Sequence, residues 1–114
     1  MTTEALQQFC LSLPATSEEV KWEHNLCFMV DKKIFCLTDI VYEFGIAFKC
    51  SEEDFAELLE RDGIIQAPHM ARNKWIKVVR PDALTKDDWK EYIQKSYNLV
   101  AAGLSKKRRA ELGL

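Results

Sequence analysis

The sequence predicts an α+β fold, an antiparallel sheet of about five strands packed against helices. Residues 18–50 alternate apolar and polar positions at period two, while residues 85–104 hold one apolar face at helical spacing. A length of 114 residues supports one hydrophobic core and leaves no room for a second, so 1–114 reads as a single domain. At 47% hydrophobic and 30% charged residues, the chain falls outside the disordered class.

The elements follow in order. Ala5, Leu6, Phe9, Cys10 and Leu13 recur at helical spacing, with Thr2 or Thr3 as N-cap and Pro14 as the stop. Val20, Trp22 and His24 then alternate with Lys21 and Glu23, and Leu26, Phe28 and Val30 continue the pattern. Asp31-Lys32 reads as a hairpin turn leading to Ile34, Cys36 and Thr38, with Phe35 and Leu37 on the opposite face. That turn places Cys27 opposite Cys36. Tyr42, Phe44, Ile46, Phe48 and Cys50 form the clearest strand, opposed by Glu43, Gly45, Ala47 and Lys49. Short strands with tight connections predict antiparallel pairing.

Ser51 caps the next helix, with Phe55, Leu58 and Leu59 as its apolar stripe and Gly63 beyond its end. Residues 64–73 read as irregular because Pro68 forces an extended approach. Lys74 to Arg80 returns to strand, and its poor alternation implies either that both faces are covered or that a bulge re-phases it. Thr85 with Asp88 makes a capping-box pair ahead of Trp89, Tyr92, Ile93, Ser96, Tyr97, Val100, Ala101 and Leu104. Ser105 restarts a short basic helix, SKKRRAEL.

No apolar run approaches the roughly 18 residues of a membrane span. The N-terminal segment, with Glu4 and no basic leader, does not read as a signal peptide, which predicts a cytoplasmic location. None of the four cysteines forms a CxxC pair, so each reads as a small buried hydrophobe. Neither histidine stands in a hydrolase or metalloprotease motif, and there is no glycine-rich phosphate loop. His24 reads as a packed or exposed strand residue; His69, in the irregular segment, is better placed for function. No catalytic residue, metal ligand set or cofactor is expected.

Charge is uneven. Residues 1–60 hold four cations and twelve acids, whereas residues 61–114 hold twelve cations and six acids. Such a basic half can present a positive face to phosphate, although solvated cations are the commoner arrangement. Trp22 and Trp75 would stack on a base if exposed, but packing in the core is the commoner use of tryptophan.

Four pieces resemble the MmcQ/YjbR family: EEVKWEHNLCFMVDKKIFCL at 18–37, IAFKCSEEDFAELLER at 46–61, IIQAPHMARNKWIKV at 64–78, and SYNLV followed by LSKKRRAEL in the last helices. The APHMARNKW stretch is the most specific. The resemblance implies a two-layer fold likened to frataxin and to type III secretion chaperones. It also implies a DNA-binding protein with a winged, basic sheet surface. The sequence departs from the family's common pattern at Asp31-Lys32, where relatives often carry glycines, and at His69, where Tyr is common.

The leading expectation is therefore a non-enzymatic DNA-binding domain with Lys21, Lys32, Lys33, Lys49, Arg72, Lys74 and Lys77 as phosphate contacts. A protein-interaction or chaperone-like module using a sheet face or edge, with a protein partner or a second copy, is the second expectation. The third is a small-ligand pocket at the 67–75 loop lined by Trp22, His24, His69, Arg72 and Trp75.

Overall fold

The computed structural model describes residues 1–114, apart from the side chain of Ala71. Helix α1 (Thr3–Ser12) leads into three antiparallel strands, β1 (Thr16–Lys21), β2 (Asn25–Val30) and β3 (Lys33–Asp39). After β4 (Ile46–Lys49) and α2 (Glu52–Leu58), a second hairpin pairs β5 (Ile64–Gln66) with β6 (Trp75–Val78). Helices α3 (Lys86–Ala102) and α4 (Lys106–Glu111) close the chain. The sheet has six strands in the order β1-β2-β3-β4-β6-β5, all antiparallel, one more than the sequence predicts. The extra strand is β5, read in the sequence as irregular; three residues are too short to show a period.

One face of the sheet packs on the helices. Phe28, Val30, Cys36, Ile46, Phe48, Ile76 and Val78 meet Leu6 and Cys10 of α1, Leu58 of α2 and the apolar side of α3. All of Trp89, Tyr92, Ile93, Ser96, Tyr97, Val100, Ala101 and Leu104 are buried, as their spacing predicts. The capping box forms: Asp88 N–H donates to Thr85 Oγ1 at 3.1 Å, and Thr85 N–H donates to Asp88 Oδ2 at 3.3 Å. Ser96 hydroxyl ties helix to sheet by donating to the Phe35 carbonyl at 2.6 Å and accepting from Lys49 N–H at 2.9 Å.

Among the described residues, the opposite face has no α-helix. Cys27, Leu37, Ala47, Trp75 and Lys77 lie on it by strand alternation and pairing. Its middle is covered by the 67–74 segment, with Ala67, Ala47 and Trp75 buried together and Met70, Ile34 and Leu37 packed around them. Both faces of β6 are therefore covered, which explains its poor alternation.

Three sequence-based expectations change here. First, Trp22 and His24 are not in a strand: Trp22 (φ 52°) and Glu23 (φ 69°) turn the chain between β1 and β2. Trp22 is 62% exposed, whereas Trp75 is buried, so only the second packs as core. Second, Tyr42 lies in the loop before β4 and is exposed. Third, Asp31 (φ 48°) and Lys32 (φ 67°) do form the hairpin turn, but the register slips between Phe28 and Met29. Phe28 consequently pairs with Cys36 and Cys27 with Leu37, so Cys27 and Cys36 point to opposite faces.

All four cysteines are free and buried. Burial, with Asp54 adding, pushes the Cys50 thiol up to about 12; burial also raises Cys27, and burial with a hydrogen bond to Cys10 raises Cys36. Iodoacetamide at mildly alkaline pH is expected to leave the folded protein unmodified and to label every cysteine once denaturant is added. Mass spectrometry reads the count; rapid native labelling would contradict the burial of the thiols, and a Cys27–Cys36 cross-link would contradict the register.

Candidate functional site

The helix-free face carries a cavity of about 630 Å³ at the end of the sheet where β1 turns into β2. Its volume is in the range of small-ligand sites. One wall is Trp22 and His24 from the β1–β2 turn, with Asn25 beside them. Leu37, Gly45 and Ala47 form the floor; Ala67, Pro68, His69 and Met70 form the other wall; Asp39 and Lys77 supply charge. The lining is mainly apolar, with a few convergent polar groups.

Local structure fixes each wall. Asp39 Oδ1 accepts from Val41 N–H at 2.8 Å and from Tyr42 N–H at 2.9 Å, closing a turn just after β3. His24 is joined to that turn in three ways. Its carbonyl accepts from Ile40 N–H at 2.9 Å, its Nδ1 lies 3.4 Å from Asp39 Oδ2, and its ring meets Tyr42 edge-on at 5.0 Å. The facing loop is held by Trp75, whose carbonyl accepts from Ala67 N–H at 3.1 Å and whose N–H donates to the Met70 carbonyl at 3.3 Å. His69 stands at its apex in the left-handed region (φ 66°).

Hydrogen bonds from the Tyr42 and Val41 amides hold the Asp39 carboxyl below its ordinary 3.8; burial opposes this and the positive fields of His24 and Lys77 assist. A depressed carboxyl contributes stability that is full above its unfolded value and is lost as pH falls through the lower folded value. The Asp39 carboxyl-carbon resonance is therefore expected to titrate with its midpoint below the ordinary carboxylate value. A midpoint at or above that value would contradict this anchoring.

Of the pocket residues expected from sequence, Trp22, His24 and His69 do line the cavity. Trp75 is buried beside Ala47 and Ala67, and Arg72 lies on the exposed short helix Ala71–Asn73, outside the lining. Sequence reasoning placed the pocket at the 67–75 loop without naming Ala67, Pro68 or Met70; it missed Asn25, Leu37, Asp39, Gly45 and Ala47 as lining residues, and it assigned Lys77 to phosphate alone. Small Gly45 and Ala47, alternating with bulky Phe44, Ile46 and Phe48, were the available signal of a hollow.

The seven expected phosphate contacts divide. Lys77 lines the cavity, and Lys21, opposite Asn25, is nearby but sits 3.6 Å from Glu19. Lys49 is opposite Trp75 further along the open face, and Lys74 lies over the Phe55 ring at 5.2 Å from its centre. Lys32 and Lys33 lie at the far hairpin, the length of β2 away, about 20 Å. There Asp31 is gripped by Arg108, whose Nη2 and Nε donate at 2.8 and 3.0 Å, so the acidic apex is neutralised by α4. For a metal, His24 and Asp39 find no third His, Cys, Asp or Glu beside them among the described residues.

The family model YjbR matches residues 11–99, most of the chain and every cavity-lining residue. The chain belongs to the YjbR family. A crystal structure of a Deinococcus radiodurans protein with domain DUF419 is 27% identical, with a TM-score of 0.89 over 99% of this chain and 88% of that one. A Pseudomonas syringae protein is 22% identical, with a TM-score of 0.71 over 88% of this chain and 99% of that one. No curated protein matches the chain. Among the described residues, no helix of this YjbR domain is long and apolar enough to cross a membrane.

Proposed function

We propose that this YjbR domain is a non-enzymatic binding module whose site is the cavity on the helix-free sheet face, taking a small, flat organic ligand. One observation carries the reading: residues far apart in the chain, from the 22–25 turn to the 67–70 loop, enclose a mainly apolar hollow of about 630 Å³. An exposed tryptophan at its edge offers a stacking surface, and a few polar groups fix orientation. Thermal-shift titration with bicyclic aromatic probes (2-naphthoate and 2-naphthol) tests it. At least one probe is expected to raise the melting temperature of the native protein. Ala47→Leu, which fills the floor, should abolish that rise while the far-UV circular dichroism stays native. No rise with either probe, or an undiminished rise in the filled variant, would count against the reading.

A second reading, DNA binding, is favoured by the hairpin apex. With Asp31 occupied by Arg108, Lys32 and Lys33 have no carboxylate partner among the described residues, and exposed Lys106 and Lys107 stand on the helix that Arg108 anchors. Such binding would be electrostatic. Duplex DNA affinity would fall steeply with salt, and Lys32→Gln with Lys33→Gln would reduce the log–log salt slope by about 2. Absence of low-salt binding removes this reading.

A further inference from the structure

The geometry points to a monoanionic, planar aromatic ligand, an arene carboxylate, anchored by Lys77 against Gly45; this rests on the cavity reading above. Lys77 rises from β6 opposite Ala47, and its chain lies across Gly45, in the space a side chain there would occupy. A Cβ at Gly45 would come within 2.5 Å of Lys77 Cε and 3.3 Å of Nζ. Glycine at 45 is thus what allows the ammonium to lie low along the cavity floor. Lys77 is only half-exposed, and none of the described carboxylates lies within ion-pair distance of it. An ammonium carries three donors and no acceptor, so it is suited to an incoming oxygen anion.

The other charged group at that end does not compete for the role. Asp39 is already engaged by two backbone amides and faces His24. Lys77 and Asp39 cancel in net charge, so the preference for an anion rests on the placement of the Lys77 ammonium along the floor. A second negative charge on the ligand would meet Asp39 with no further lysine or arginine among the described lining residues to offset it. Trp22, Pro68 and Met70 supply apolar area on the two walls and Leu37 on the floor, which fits a flat ring.

The test is quenching of tryptophan fluorescence by 2-naphthoate and by neutral 2-naphthol, in native protein, Lys77→Met and Gly45→Ala. Trp22 is the reporter, since it borders the cavity and is exposed while Trp75 and Trp89 are buried. In Gly45→Ala the clash is with the end of a flexible side chain, so Lys77 moves and the fold stays intact. The acid is expected to bind native protein about ten- to a hundredfold more tightly than the alcohol, and both variants should erase that margin. Equal affinity for the two probes, or acid binding unchanged in Lys77→Met, overturns the anchor and leaves the cavity reading standing. Binding of neither probe overturns both.

Discussion

Ser96→Val should destabilise the domain by about 2–4 kcal/mol, with a fall in melting temperature of roughly 10–20 °C. Valine adds a branch and volume at a fully buried position, so its apolar transfer gain is offset by crowding of about 1–3 kcal/mol. What is lost is pairing. The hydroxyl both donates to the Phe35 carbonyl at the β3 irregularity and accepts from the Lys49 amide at the end of β4. Valine removes both and leaves two main-chain groups beneath α3 without partners, each costing about 1–3 kcal/mol. Urea denaturation measures it. A change below about 0.5 kcal/mol, the range of ordinary surface substitutions, would mean that the helix-to-sheet tie carries no weight.

Trp75→Ala is expected to cost about 3–5 kcal/mol and to abolish ligand binding as well. Trp75 fills the space between Ala47 and Ala67, and its main chain brackets the 67–70 loop that forms one cavity wall. Removing the indole leaves a void on the open face and takes away the packing that holds that wall in place. Trp22→Ala provides the contrast. Its side chain is largely exposed, so stability should change by less than about 0.5 kcal/mol while probe affinity drops. Paired chemical denaturation and probe titration separate the two tryptophans. Equal stability losses would contradict their assigned roles.

The long helix was legible because the stripe from Trp89 to Leu104 obeys a single period, and the structure buries every position of that stripe while Leu99, off it, is exposed. The Asp31-Lys32 hairpin was legible from turn placement. Its bulge was not, because one extra residue in β3 leaves no trace in the alternation of Ile34, Phe35 and Cys36, all of which are apolar. The β1–β2 turn was hidden for a related reason. Trp22 and Glu23 adopt left-handed conformations without glycine or asparagine to announce them, so Val20, Trp22 and His24 imitate a strand.

The candidate site was half visible. His69 and the neighbouring loop stood out, and Trp22 and His24 were named with them. Asp39 was not, since its role depends on amides at 41 and 42 in a segment whose Tyr42 and Phe44 suggested continued strand. Lys77 was seen only as one charge among many. Its distinct position follows from the β4–β6 register and from Gly45, neither of which a single sequence supplies.

Mapping amide chemical shifts during a 2-naphthoate titration tests the cavity assignment most directly. The account predicts the largest changes at Trp22, Gly45, Ala47, His69 and Lys77, with α3 and the Asp31-Lys32 turn undisturbed. Shifts centred on the hairpin apex or the helical layer, or no shifts anywhere, would contradict it.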